Sequence, residues 1–99
     1  MKYYFYKLIP PRPTFLIDMT EGEVKIMQEH VVYWRELMEK GCVIAFGPVA
    51  DPGGPYGIGI IRLQDDENAS SLADHDPAML AKAGFRYEIH PMPQVVSAG

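Results

Sequence analysis

Chemistry near neutral pH has few carriers in this chain: three histidines, one cysteine and thirteen carboxylates. His30 stands out, because an imidazole gives or takes a proton in that range without extensive tuning. A carboxylate beside such a ring fixes its tautomer and raises its basicity, and Asp76, directly before Pro77, is the candidate partner. An Asp before a Pro is also the ordinary N-cap of a helix; the two roles are compatible, since one oxygen can cap while the other faces a cavity. A plain structural reading stays open for both residues, with His30 held in the core by a backbone or water partner. His75 next to Asp76 raises a metal question, as imidazole and carboxylate both ligate zinc. Adjacent residues rarely point at one ion, however, and the positions three and four after His30 are Tyr33 and Trp34. No metal and no cofactor are therefore expected. Asp51, in the run Asp51-Pro52-Gly53-Gly54-Pro55, reads as satisfying its own turn. The following glycines lack the Lys-Ser/Thr ending and helix of a phosphate loop. Cys42 has only Lys40 as a basic neighbour and reads as a buried, inert thiol. Tyr33 and Tyr6 could each present a hydroxyl at the rim of a pocket, beyond their packing role.

These residues must be positioned by the elements around them. Residues 2–9 are aromatic and β-branched and stop at Pro10-Pro11, which predicts a strand. Residues 10–19 hold three prolines but also Phe15, Leu16 and Ile17, which predicts a stiff loop with an apolar tip. Thr20-Glu21-Gly22-Glu23 matches a capping box, and Lys40-Gly41 a helix end, so a helix is expected over about 21–40. At about 100° per residue, one half of that helix carries Tyr33, Ile26, Leu37, His30, Glu23, Trp34, Met27, Met38, Val31 and Val24. Glu23 is explained by capping, which leaves His30 as the unexplained polar group on a buried face. Residues 42–49 read as a second strand stopped at Gly47-Pro48, and 57–63 as a third, antiparallel to it. Asp65 or Asp66 is expected to cap a helix burying Ala69, Leu72 and Ala73. A short helix is expected from Pro77 to Gly84, then a fourth strand with Phe85, Tyr87 and Ile89 on one face, stopped by Pro91 and Pro93.

The order strand, helix, strand, strand, helix, strand predicts an α+β, ferredoxin-like βαββαβ fold: a four-stranded antiparallel sheet with both helices on one face. Both alternating sets of the first strand, Tyr3/Phe5/Ile9 and Tyr4/Tyr6/Leu8, are apolar or aromatic. Ile44/Phe46 and Val43/Ala45 repeat that pattern in the second. Helices cover one set only, so the other face calls for a second copy of the chain, and a homodimer is expected.

Ninety-nine residues are one domain's worth of chain, expected to span 1–99. A single cysteine excludes an intramolecular disulfide scaffold and fits a reducing compartment, so a cytoplasmic location is expected. A formal charge of −4 without a basic cluster argues against nucleic acid as a partner, and against an RNA-recognition reading of the same strand order. The apolar runs fall far short of the ~20 residues needed to cross a bilayer, so no membrane association is expected. The opening Lys2-Tyr3-Tyr4-Phe5-Tyr6-Lys7 does not read as a signal peptide.

With the elements in order, a set of short motifs becomes specific by succession. Glu29-His30-Val31-Val32-Tyr33-Trp34 lies on the long helix. Gly41 and Gly47-Pro48, Asp76-Pro77, Ala83-Gly84 and Glu88-Ile89-His90-Pro91 follow. Over about residues 23–92 the chain resembles the YCII-related (YciI-like) family. The resemblance implies a ferredoxin-like protomer in a dimeric α+β barrel, with a His–Asp pair lining a cleft in each subunit, here His30 and Asp76. It also implies proton transfer or elimination on a small, often cyclic, molecule, a lyase- or isomerase-type reaction. In that reading His30 is the general base or acid, Asp76 fixes its tautomer, and Phe15, Tyr33, Trp34 and Tyr6 meet the substrate. Two departures stand out: the 10–19 connection is longer than the family pattern, and Ala78 follows Asp-Pro where a bulky residue is usual, which makes for a roomier cleft. The rival reading is a non-catalytic dimeric module that binds a small molecule or serves as an accessory subunit.

Overall fold

The computed structural model describes residues 1–98. Strand β1 (Lys2–Ile9) takes the aromatic and β-branched run and ends at the two prolines. Two of its neighbours are β3 (Tyr56–Leu63) and β4 (Arg86–Met92), and β2 (Val43–Val49) closes the sheet on the far side of β3. The strand order is β2-β3-β1-β4 with every pair antiparallel, which is the ferredoxin-like arrangement. Two short helices fill the second helical position: α3 (Ala69–Asp74) and α4 (Pro77–Leu80).

Helix α2 (Glu21–Glu39) starts on the expected capping box: the Thr20 side chain accepts from the Glu23 N–H, and the Glu23 carboxylate accepts from the Thr20 N–H. It stops at Gly41, whose φ of +82° lets the Cys42 N–H reach back to the Leu37 carbonyl. Its inner face buries His30, Trp34 and Leu37 against Tyr6, Leu8, Val43, Ile61 and Leu63 of the sheet. Burial of each large side chain of this kind contributes about 1.5–3 kcal/mol. Register carries Phe5 opposite Ile60 on the other face of the sheet, where both are half-buried.

Several local expectations are corrected. The apolar half of α2 is narrower than its sequence suggests: Val24, Val31 and Met38 lie on its outer margin and are exposed. The 10–19 connection contains one helical turn, α1 (Phe15–Asp18), which buries Phe15 and exposes Leu16 and Ile17. Asn68, not Asp65 or Asp66, caps α3, its side chain accepting from the N–H groups of Ser70 and Ser71. The α4 helix ends at Leu80 rather than Gly84, and Gly84 sits in the following turn at φ +93°. A bulge between Val43 and Ala45 puts Val43 and Phe46 on the helix side together, so the alternation expected of the second strand is broken there. Finally, neither Pro48 nor Pro91 stops its strand. Both lie inside β2 and β4, which are the two outer strands, where a residue without an N–H is tolerated.

Candidate functional site

Asp76 is the N-cap of α4, as its place before Pro77 predicts, and its Oδ1 accepts from the Ala78 N–H at 2.8 Å. The same carboxylate is fully buried and gathers three side-chain donors. His30 Nδ1 stands 2.8 Å from Oδ2 and 3.0 Å from Oδ1, Trp34 Nε1 donates to Oδ2 at 2.7 Å, and the Tyr6 hydroxyl donates to Oδ2 at 3.3 Å. His30 and Trp34 are one helical turn apart and therefore reach the same point. Tyr6 comes up from β1, where its ring lies 4.6 Å, centroid to centroid, from the Trp34 indole. Gly59 makes room for that indole, because a Cβ there would stand 3.3 Å from Trp34 Cζ3. Every partner of Asp76 is a donor, the environment that suits a carboxylate anion. Burial, and then the charge of Asp76, push the Tyr6 hydroxyl well above the ordinary phenol range, so it remains a donor.

With Nδ1 committed to a carboxylate, that nitrogen carries the hydrogen, and the other ring nitrogen, Nε2, has no hydrogen-bond partner among the described residues. His30 is 9% exposed and forms part of the wall of a cavity of about 240 Å³. Met27 and Trp34 of α2 line it beside His30, Phe15 and Leu16 close over it from the 10–19 connection, and Phe46 and Tyr56 belong to the β2–β3 side. The arrangement offers one unspent proton-accepting nitrogen in an apolar chamber, with a buried anion behind it.

Of the residues expected to meet a ligand, Trp34, Tyr6 and Phe15 are in this wall, and Trp34 and Tyr6 also spend their donors on Asp76. Tyr33 is not: its hydroxyl donates to the Leu72 carbonyl at 2.7 Å, towards α3. At about 100° per residue, Tyr33 lies some 60° from His30 on one side of the helix, while Trp34, Met27 and Val31 lie on the other. That offset was readable once the cavity's side was known, and Met27, Phe46 and Tyr56 are among the wall residues that sequence reasoning did not single out. His75 is exposed and its Nδ1–H donates to the Ser71 carbonyl, away from the carboxylate of Asp76. Among the described residues no group of three or more His, Cys, Asp or Glu converges as a metal site would require.

A second polar cluster also escaped the sequence reading. Arg12 binds Glu23 through both terminal nitrogens, at 2.8 and 2.7 Å, and Asp18 through Nε at 2.8 Å, which ties the 10–19 connection to the first turn of α2. The guanidinium, helped by the Thr20 N–H, holds the Glu23 carboxyl at about 2. The Thr14 hydroxyl, then Arg12, lower Asp18 in the same sense. Asp51 accepts from the Gly53 N–H within its own turn, as expected.

Comparison with known proteins adds three findings. Residues 1–93 match the YCII-related domain. No curated protein matches the chain in sequence. Among solved structures, a formyltetrahydrofolate deformylase from Pseudomonas putida is similar at a TM-score of 0.45, with 16% identity over 91% of this chain. The chain spans only 28% of that protein's length.

Proposed function

Starting from a chain that belongs to the YCII-related family, we propose that it is a small-molecule enzyme in which His30 transfers a proton and Asp76 orients and supports the ring. The observation that carries this reading is the division of labour on one imidazole: Nδ1 held by a buried carboxylate, Nε2 without a protein partner in a cavity wall. The neutral ring takes a proton at Nε2 from an acidic C–H or O–H of the bound molecule. The imidazolium so formed is supported by the charge of Asp76. Returning that proton to another atom of the same molecule isomerises it; delivering it to a departing group completes an elimination. Trp34 and Tyr6 act here as positioning residues for Asp76, with Phe15 packing against the ligand.

Two copies pair, in this reading, through the sheet face that bears Phe5 and Ile60, leaving one cavity per chain. The rival, a binding module without turnover, draws on the scarcity of polar groups in the same wall. One experiment separates the two. Sedimentation of the native chain and of His30→Gln is expected to give the mass of two 11.1 kDa chains in both cases. Turnover of small cyclic carbonyl compounds and lactones is expected to fall by ~10²–10⁴-fold in the variant. Equal turnover in both proteins removes His30 from the mechanism, and a monomer removes the pairing.

A further inference from the structure

Within the reading of this cavity as a substrate site, we infer that its ligand is an uncharged, mostly hydrocarbon ring compound with a single hydrogen-bonding edge, and that the site discriminates against carboxylate or phosphate counterparts. The wall contains no Lys, Arg, Asp or Glu. Three cations on nearby elements are already engaged. All three guanidinium nitrogens of Arg12 are bonded to Asp18 and Glu23, and Arg62 donates Nε–H to the Gly41 carbonyl. Lys7 lies over the Tyr56 ring at 4.4 Å. The nearest buried charge is the carboxylate of Asp76, which repels an anion. Protonation of His30 does not alter this, because the imidazolium and Asp76 sum to zero and leave no net positive charge for a second anion.

Hydrogen-bonding capacity is equally sparse. The Trp34 indole and Tyr6 hydroxyl, both in the wall, are spent on Asp76. His30 Nε2 and the Tyr56 hydroxyl are the wall side-chain groups that make no hydrogen bond among the described residues. An apolar chamber of about 150 Å³ suffices for benzene, so about 240 Å³ accommodates a ring with one or two small substituents. A buried anion without a partner is strongly disfavoured, whereas a neutral hydroxyl can donate to His30 Nε2 and a neutral carbonyl can accept from the Tyr56 hydroxyl.

Acetophenone and benzoate test the inference, being nearly the same shape and differing in charge. In ¹⁵N-labelled full-length protein at pH 8, acetophenone is expected to shift the Trp34 indole N–H and His30 ring signals saturably. Benzoate is expected to bind ~10-fold or more weakly. Leu16→Lys places a cation on a half-exposed wall position that the fold does not depend on, and is expected to move the ratio towards benzoate. Benzoate binding as tightly as acetophenone, an unchanged ratio in Leu16→Lys, or no effect of either compound on the wall signals overturns the inference. The discrimination persists in His30→Gln, because the walls set it. A preserved discrimination with unimpaired turnover in that variant thus defeats the catalytic reading alone, and lost discrimination with abolished turnover defeats the present inference alone.

Discussion

Two polar clusters share helix α2: Asp76 with His30, Trp34 and Tyr6 near its middle, and Arg12 with Glu23 and Asp18 at its first turn. Both are dense and charged, but the one around Asp76 joins side chains up to 70 positions apart in sequence and the one around Arg12 side chains no more than 11 apart. At the first turn, opposite charges meet between a partly exposed Arg12, an exposed Asp18 and a buried Glu23, and the result is a clamp that fastens the 10–19 connection. In the middle, one buried anion faces donors only, and the geometry leaves a single ring nitrogen over. A cluster that satisfies itself stabilises; a cluster with one valence unspent, facing a cavity, is equipped to act on something else.

The sharpest way to break this contrast is to remove the buried anion. Asp76→Asn keeps the shape but turns a donor towards donors, and is expected to cost about 3–5 kcal/mol, read as a lower urea midpoint at unchanged slope. Stability close to that of the native chain would mean that the carboxylate is no more integral than a surface pair. A smaller loss is expected from Gly59→Ala, whose new Cβ presses on Trp34 Cζ3 at 3.3 Å. Here about 1–3 kcal/mol of overpacking comes with a displaced indole N–H resonance as the Trp34–Asp76 bond is disturbed. A resonance that stays in place would show that the indole has slack.

The clamp gives the slightest effect, and acid abolishes it. Because pairing lowers the Glu23 carboxyl from 4.5 to about 2, its contribution is complete above about pH 4.5 and is lost as pH falls through about 2. Glu23→Gln is expected to lower stability near neutrality by less than Asp76→Asn does and to flatten the stability profile across that acid window, as followed by circular dichroism. A variant that loses stability equally at pH 7 would place the two clusters on the same footing.

How far the sequence carried these features depends on the range of the forces involved. The capping box, the glycine stop of α2 and the Asp76 cap are local, and Thr20, Gly41 and Asp76 behave as their neighbours require. The strand order follows from the succession of elements. The meeting of His30 with Asp76 was suggested by an unexplained polar group on an apolar face and by the family resemblance, since 46 residues separate them. Other features rest on competition or on distance. Asp65, Asp66 and Asn68 are all competent caps, and Asn68 is selected by a turn in which the Glu67 N–H bonds the Gln64 carbonyl. Arg12 and Glu23 lie on either side of a helical turn, α1, that no periodicity announced. Tyr33 and Trp34 look equivalent as neighbouring aromatics, yet they part because the cavity opens on one flank of the helix only.

The prolines of the outer strands carry a consequence for assembly. Pro48 in β2 and Pro91 in β4 each delete a main-chain donor at a border of the sheet. A foreign strand seeking to add itself sideways finds an interrupted ladder on both flanks, which discourages growth into fibres.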